Sequence, residues 1–367
     1  MLAVNVGSSS LKLSVLDGDE LVAAETLPAP VDGIDEGQLA AVVDRHLPFD
    51  AVGHRVVHGG GEFEAPVLVD GDVRRRLEAL VDLAPLHLPL SLAGLDAVGR
   101  LLPGVPAVAC FDTAFHATLP AAAATYALPA EWRRRWPLRR FGFHGLSHAW
   151  AARRVADLLD RPLGELRTVT CHLGAGASLA AVAGGVSVDT TMGFTPLEGL
   201  VMATRSGSTD PGLILWLEQH VGLPPAELAS ALEHRSGLLG LTGTADMRAV
   251  LQAESGGDET AALAVGVYLH RLRGSIAAMV AAMGGCDAVA FTGGVGESAA
   301  SIRQRAAEGL GFLGLAVDPD RNEAALPDAV VSVDGAAVAA LVVAAREDLQ
   351  IAREVRQLLG AGRPDDT

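Results

Sequence analysis

The pattern that most restricts the fold is a strand–turn–strand unit that occurs twice in the chain. The first copy, LAVNVGSSSLKLSVLDG, has two alternating apolar runs, Leu2–Val6 and Leu11–Leu16, on either side of a Gly-Ser-Ser-Ser turn. The second copy, VTCHLGAGASLAAVAGG at 169–185, repeats the order of strand, small-residue turn, strand and glycine-rich exit. Alternating apolar runs around a short polar turn are typical of a β-hairpin. The repeat predicts two related halves, each opening with a turn of exposed backbone N–H groups.

Other segments alternate between strand and helix patterns. DAVGHRVVHGG and VPAVACFDTAFH each resemble a buried strand that ends in polar residues, Arg55 and Asp112. SHAWAARRVADLLD predicts a helix, and DAVAFTGGVGESAASIRQRAAEGL predicts a strand, a glycine turn and a helix. In α/β sheets, ligands bind beyond the carboxyl ends of strands. We therefore expect an α/β protein with mixed sheets and a cleft between two domains.

Charge and cysteine content exclude several function classes. The formal net charge is −16, so a general nucleic-acid or anionic-membrane surface is not expected. The three cysteines are far apart and form no C-x-x-C pair, which favours a reducing cytoplasm with buried thiols. No basic segment followed by an apolar core opens the chain, so we expect no secretory signal. The apolar stretch 260–283 contains His270, Arg271 and Arg273 and predicts a buried helix rather than a membrane span.

Two glycine-containing turns are candidate phosphate sites. Lys12 is the only lysine beside 27 arginines, and it follows the first Gly-Ser turn closely. Such a turn presents amides and hydroxyls to an anion, and a lysine adds a compact charge. FTGGVGES at 291–298 opens a helix whose N–H groups favour phosphate or a nucleotide sugar, although it is not a P-loop. A solvated hairpin and a plain strand-to-helix turn are the alternative interpretations.

Two further segments carry candidate catalytic groups. RRFGFHGLSHAW places His144 four residues before His148, a spacing that suits zinc, but no third ligand is evident. We favour His144 as a hydrogen-bond donor to a transferring group and His148 as a structural residue. MGFTPLEGLVMATRSGSTDPG leads to Arg205 through apolar residues, which favours a buried loop lining a site over a surface loop.

Nine stretches together resemble the acetate kinase family, within the group that shares the actin, sugar kinase and Hsp70 ATPase fold. They are NVGSSSLK, GHRVVHGG, APLHLP, FDTAFHATLP, FGFHGLSH, CHLGAGAS, DTTMGFTPLEGLVMATRSG, SGLLGLTGTADMR and FTGGVGES, in this order. The resemblance implies two related actin-like (ribonuclease H-like) α/β domains with a central cleft. Residues 1–115, completed by the helix at 346–362, would form the N-terminal domain. Residues 116–345 would form the C-terminal domain with the nucleotide site.

The activity that the resemblance implies is reversible transfer of the ATP γ-phosphate to acetate, giving acetyl phosphate and ADP. The acetate carboxylate would attack directly and in line, with Mg²⁺, or Mn²⁺ in its place, as cofactor. Phosphoryl transfer needs positioning and charge stabilisation more than covalent help, and a carboxylate acceptor needs no general base. The protein would be a cytoplasmic homodimer whose partners are acetate and ATP, with neither nucleic acid nor membrane.

The resemblance also implies roles for single residues. Asp112, His144 and Arg205 would act on the transferring phosphoryl group. Arg55 would hold the acetate carboxylate, and the methyl group would be enclosed by Val57, Leu86, Phe143 and Pro196. Asn5 and Glu347 would orient the metal. The ATP site would comprise Ser8, Ser10, Lys12, His172, Gly174, Gly176, Asp246, Met247, Arg248, Gly294, Val295, Gly296, Ile302 and Arg303.

Some positions depart from the family pattern and leave alternatives open. The family usually has Asn at Leu88, Ala175, Ser298 and Arg346, Thr at Leu146 and Asp at Ser208. Ala175 removes a side-chain amide from the second phosphate turn. The alternatives are a propionate or butyrate kinase, a pyrophosphate-dependent acetate kinase, and a non-catalytic nucleotide-binding switch of the same fold. Arg55, Asp112, His144 and Arg205 argue against the switch, which needs no carboxylate clamp.

Overall fold

The computed structural model describes residues 1–7, 10–28, 34–85 and 88–360. Its contacts divide the chain into two units. The first contains Met1–Ala117, Phe143–Trp150 and the chain from Arg346, and the second contains Thr118–Gly142 and Ala151–Ala345. The domain limits expected from the sequence stay a prediction. The contacts group 143–150 with the first unit, whereas the sequence placed it in the second domain.

The described part of the first unit contains a six-stranded mixed sheet with the order β3-β2-β1-β4-β6-β5. Its strands are β1 (Leu2–Val6), β2 (Ser10–Asp17), β3 (Glu20–Pro28), β4 (Val52–Val56), β5 (Val67–Leu68) and β6 (Ala107–Phe111). Strands β1, β4 and β6 are parallel to one another, and the remaining pairings are antiparallel. The predicted hairpin at the start of the chain is confirmed.

The second unit contains a sheet of the same design, with the order β11-β12-β10-β7-β8-β9. Its strands are β7 (Arg167–Leu173), β8 (Ala177–Ala183), β9 (Val186–Thr190), β10 (Ala288–Thr292), β11 (Ala329–Val330) and β12 (Ala339–Val342). Strands β7, β10 and β12 are parallel, as β1, β4 and β6 are. The two sheets share one topology, which confirms the repeat and the duplicated α/β fold class predicted from it.

Helices cover both faces of the first sheet because its residues alternate between two apolar cores. The helices of this unit are α1 (Glu36–Arg45), α2 (Gly71–Glu78), α3 (Leu88–Leu101), the first part of α6 (Gly145–Leu159) and α15 (Glu347–Gly360). Leu2, Val4 and Val6 pack with α1 and α3 on one face. Ala3 and Cys110 pack with α6 and α15 on the other. This second face carries the polar residues described below.

The helices of the second unit include a long one packed on its sheet. They are α4 (Ala121–Ala124), α5 (Ala130–Arg135), α7 (Pro211–Trp216), α8 (Pro225–His234), α9 (Gly237–Thr242), α10 (Met247–Ser255), α11 (Glu259–Met283), α12 (Gly293–Ser298), α13 (Ala300–Glu308) and α14 (Pro319–Glu323), and α6 ends here. Helix α11 packs against β8 and β9, which confirms the predicted buried helix. Within the described ranges, no helix combines the length and apolarity that crossing a membrane requires.

Candidate active site

Strand register in the first unit brings three predicted site residues to one sheet edge. Val4 pairs with His54, and Arg55 pairs with Cys110, so Asn5, Arg55 and Asp112 follow one another across the parallel strands. Side chains alternate between faces, and Asp112 lies two residues beyond Cys110. All three side chains therefore lie on the face covered by α15, at the carboxyl ends of β1, β4 and β6.

Arg55 and Asp112 form a buried, two-pronged ion pair. Arg55 Nη2 lies 2.6 Å from Asp112 Oδ2, and Arg55 Nε lies 3.1 Å from Oδ1. Their side chains are 14% and 1% exposed. Burial alone would lower the pKa of Arg55, but the charges of Asp112 and Glu347 outweigh it and raise that pKa. Burial raises the pKa of Asp112, and Arg55 opposes the rise.

Asn5 connects this pair to the first residue of α15. The Asn5 side-chain amide donates to Glu347 Oε2 at 2.7 Å, and its oxygen accepts from Arg55 Nη1 at 3.0 Å. The structure therefore joins four predicted residues, Asn5, Arg55, Asp112 and Glu347, in one network. Two of them lie 342 residues apart in the chain.

His144 is held in an unusual backbone conformation next to the same aspartate. Its φ of 56° is in the left-handed region, which costs a non-glycine residue energy. The next residue, Gly145, donates its N–H to the Asp112 carbonyl at 3.0 Å, and a Cβ there would overlap that carbonyl. The His144 ring lies 6.5 Å from the His148 ring, which in turn lies 5.7 Å from that of His116. His144 is thus fixed beside the Arg55–Asp112 pair.

Lys12 lies directly opposite Asn5 across the β1–β2 ladder. Residues directly opposite in an antiparallel ladder point to the same face, so the lysine shares the face of the network. Its side chain is exposed, and no ion pair to it is found in the described part of the chain. Ser10 opens β2, and its carbonyl accepts from Gly7 N–H at 2.8 Å.

In the second unit, the turn between β7 and β8 contains the second predicted phosphate site. Gly174 N–H donates to the Gly176 carbonyl at 3.0 Å, and a Cβ at Gly174 would lie 3.4 Å from His172 Nε2. The exposed Ala175 receives a hydrogen bond on its carbonyl from Ala203 N–H at 3.0 Å. The segment that leads to Arg205 therefore contacts this turn.

Arg205 and Pro196 are in contact within the same unit. Arg205 Nη1 lies 3.4 Å from the Pro196 carbonyl oxygen. Burial lowers the pKa of Arg205, and the charge of Glu233 opposes this. An arginine keeps its proton at any physiological pH, so a partly buried cation is present.

The predicted nucleoside residues lie on three helices of the second unit, α10, α12 and α13. Asp246 caps α10, where it accepts from Arg248 N–H at 2.9 Å, while the Met247 side chain is buried. Gly294, Val295 and Gly296 form α12, and Ile302 and Arg303 follow in α13. An ion pair between Arg305 and Glu254, at 2.8 Å, joins α13 to α10.

Arg303 is buried and is engaged by the protein itself. Only 1% of it is exposed, and Nη1 donates to the Gly296 and Glu297 carbonyls at 2.9 and 2.8 Å. Its Nε donates to Asn322 Oδ1 at 2.7 Å. These contacts fix the glycine turn. Direct contact of Arg303 with a nucleoside stays a prediction.

The remaining predicted residues are distributed as follows. Val57 and Phe143 are buried in the first unit, and Pro196 is half-buried in the second. Ser8 and Leu86 lie outside the described residues. The sequence missed Glu297, which accepts from both Gly293 and Ala345 N–H at 3.0 Å. It also missed Tyr126, Arg140 and Glu198. Only Tyr126 carried a usable signal, because tyrosine occurs just twice in the sequence.

The donor set at the sheet edge suits a hard divalent cation. Asn5 and Glu347 supply amide and carboxylate oxygens, the ligands that Mg²⁺ prefers. Among the described residues, no cluster of three or more His, Cys, Asp or Glu side chains could form a complete metal cage. Mg²⁺ usually binds through one or two carboxylates and substrate phosphates, so these residues fit it.

A duplicated sheet topology, a charged network at strand ends and a glycine turn before a helix define an actin-like phosphotransferase. The profile of the Acetokinase family matches residues 35–353. The acetate kinase of Leifsonia xyli subsp. xyli is 46% identical, over 99% of each chain. The chain belongs to the acetokinase family.

Solved structures agree with this assignment. Porphyromonas gingivalis acetate kinase superposes with a TM-score of 0.89 at 33% identity, covering 98% of this chain and 99% of that one. A propionate kinase from Francisella tularensis gives the same TM-score at 34% identity, with coverages of 96% and 98%. The protein is accordingly a kinase that uses ATP and ADP.

Proposed function

We propose that the protein is an acetate kinase that transfers the γ-phosphoryl group of ATP to acetate. An acetate oxygen forms the new P–O bond, the bond to the β-phosphate oxygen breaks, and acetyl phosphate and ADP result. The observation that carries the proposal is the Asn5–Arg55–Asp112–Glu347 network. It supports a carboxylate clamp beside oxygen ligands for a cation, and both are needed when two anions react.

Arg55 suits the carboxylate of the acceptor. Its hydrogen bonds to Asp112 and Asn5 occupy Nε and one N–H on each terminal nitrogen, as the distances above indicate. Each terminal nitrogen keeps a second N–H that these bonds do not use. Two parallel N–H groups match a carboxylate in a bidentate manner. Asp112 orients the guanidinium, and Val57 and Phe143 of the same unit would contact the methyl group. The family resemblance adds Leu86 and Pro196 to the residues proposed for acyl binding.

Arg205 and His144 are proposed to stabilise the phosphoryl group during transfer. Both are donors, and neither has to accept a proton because the acceptor is already ionised. On the nucleotide, Lys12, Ser8, Ser10, His172, Gly174 and Gly176 contact phosphates. The residues of α10, α12 and α13 contact the nucleoside. Asn5 and Glu347 would hold Mg²⁺, which would supply neutralisation of the phosphate charge.

We also propose that the enzyme is a cytoplasmic homodimer. Leu213, Leu215 and Trp216 of α7 and the following Val221 are each about half exposed, between 47% and 51%. Clustered large apolar side chains on a surface mark an interaction site, and a second copy is the occupant proposed here. The three cysteines are free thiols, which fits a reducing compartment. Sedimentation of the wild type and of Leu215→Glu tests the dimer, which the charged variant should weaken.

Propionate is the second candidate acceptor, because one similar structure is a propionate kinase. Trapping acyl phosphate as the hydroxamate with acetate, propionate and butyrate, each with ATP, decides between them. The same assay with pyrophosphate tests the donor. Ala175→Asn should improve the KM for ATP, since the turn gains one amide. A protein that binds ATP and produces no acyl phosphate with any acceptor would be the non-catalytic switch.

A further inference from the structure

A polar network in the second unit surrounds the 191–199 segment, which contains Pro196. Arg140 Nη2 lies 2.7 Å from Glu198 Oε1, and Tyr126 OH donates to Glu198 Oε2 at 2.6 Å. The Tyr126 hydroxyl also accepts from Phe194 N–H at 2.9 Å. Arg140 and Tyr126 thus bind the segment through the Glu198 carboxylate, and Tyr126 binds it a second time through the N–H of Phe194.

The start of the segment is fixed by the same arginine. Arg140 Nη1 donates to the carbonyls of Thr191 and Met192 at 3.1 and 3.0 Å. Phe141 N–H donates to the Gly193 carbonyl at 3.0 Å. A Cβ at Gly193 would overlap both the Glu198 carboxylate and the Tyr126 hydroxyl, so only glycine lets the backbone lie against them.

The segment also contacts Arg205, whose Nη1 lies 3.4 Å from the Pro196 carbonyl oxygen. We propose that Tyr126, Glu198 and Arg140 are positioning residues that set the place of Pro196 and Arg205, the residues of this unit to which the proposed function gives an acyl-binding and a phosphoryl-binding role. The inference rests on the proposed function. The side chains of Arg140 and Glu198 are 17% and 35% exposed, so the network is partly buried. Such a network holds the segment in one geometry while every member has its partners, and the loss of one member allows the segment to move.

The test is Tyr126→Phe, with Tyr268→Phe as the matched control. Tyr268 is the other tyrosine of the chain, is 4% exposed and lies in the same unit. Its hydroxyl has no hydrogen-bond partner among the described residues. Both variants lose one hydroxyl, but only Tyr126→Phe removes bonds to the segment. The KM for acetate, the KM for ATP and the acetate-to-propionate ratio of kcat/KM are measured for each.

Tyr126→Phe should lower kcat/KM for acetate by about tenfold, the size expected for a hydrogen bond to a charged group. It should also narrow the acetate-to-propionate ratio and leave the KM for ATP within about twofold of the wild type. The control should change none of these. A purely structural role would lower thermal stability but leave the acetate KM and the acyl ratio of the folded enzyme unchanged.

Equal kcat/KM values for acetate and equal acyl ratios in Tyr126→Phe and Tyr268→Phe would overturn the inference, even if the wild type forms acetyl phosphate. A wild type that forms no acetyl phosphate would instead overturn the proposed function. Glu198→Gln, which keeps the size of the side chain and removes its charge, gives the second measurement if Tyr126→Phe does not fold. The same fall in kcat/KM for acetate, with a narrower acetate-to-propionate ratio, supports the network, and wild-type values of both refute it.

Discussion

Replacing Asp112 with asparagine tests whether the Arg55–Asp112 pair organises the first unit and the chemistry together. The carboxylate is 1% exposed and accepts hydrogen bonds from both Nε and Nη2 of one guanidinium. Asparagine has nearly the same volume, so no cavity forms. One oxygen acceptor remains for Arg55, while the other acceptor becomes an N–H₂ group that faces a donor.

The expected loss of stability follows from this geometry. Breaking a buried ion pair by removing one partner costs about 3–5 kcal/mol. The Glu347 carboxylate still compensates Arg55, and one hydrogen bond persists, so we expect about 2–3 kcal/mol. In addition, kcat should fall by about 10²–10³-fold, because Arg55 loses the partner that orients its guanidinium towards the acceptor.

Urea unfolding and the hydroxamate assay measure these two quantities. Asp334→Asn is the control, since Asp334 also pairs with an arginine, Arg321 at 2.7 Å, but is 88% exposed and lies outside the proposed site. Exposed ion pairs contribute little, so the control should match the wild type in both assays. An Asp112→Asn enzyme as stable and active as Asp334→Asn would refute the proposed role of the pair.

Four further variants separate effects on substrate binding, on rate and on the pH dependence of stability. Arg205→Ala should lower kcat by about 10²–10³, whereas Arg55→Ala should mainly raise the acetate KM; an Arg205→Ala enzyme with nearly full kcat contradicts the assignment. Val57→Ala should narrow the acetate-to-propionate ratio of kcat/KM, because one methylene is worth about 1–3 kcal/mol, and an unchanged ratio argues against the pocket. Burial lowers the pKa of His54 to about 4. Its neutral form is favoured on folding, so stability is complete above the unfolded pKa of about 6.5 and is lost as the pH falls towards 4. The free energy of unfolding should therefore fall by about 2 kcal/mol between pH 7 and 5 because of His54. In urea unfolding, His54→Leu should remove this part of the pH dependence, whereas His234→Leu, at an exposed position, should leave it unchanged.

The duplicated sheets could be predicted because the signal is local. Each hairpin shows its alternation and its turn within 20 residues, and the structure confirms both. Strand order could not be predicted in the same way. The pairing of β1 with β4 joins Leu2 to Val52, and no local pattern specifies that long-range partner.

The charged network was predicted as a set of residues through the family resemblance, but its connections were not. Asn5 contacts Glu347 because α15 begins at the edge where β1 ends, a consequence of tertiary packing. Tyr126 and Glu198 are 72 residues apart, and each alone resembles an ordinary surface residue. They meet because Gly193, which has no Cβ, allows the backbone to lie against both the Glu198 carboxylate and the Tyr126 hydroxyl.

Residue frequency explains why some site residues stood out from the sequence and others did not. The chain has one lysine and two asparagines. Asn5 contacts Arg55 and Glu347, Lys12 lies opposite Asn5 across the β1–β2 ladder, and Asn322 binds the Arg303 guanidinium. Arginine is abundant in this chain, so an arginine within a motif is weak evidence that its N–H groups bind a ligand rather than the protein itself. Arg303 illustrates this, because its guanidinium serves the protein's own carbonyls and Asn322. A rare polar residue that persists in a biased composition is therefore better evidence of a specific contact than a common one within a motif.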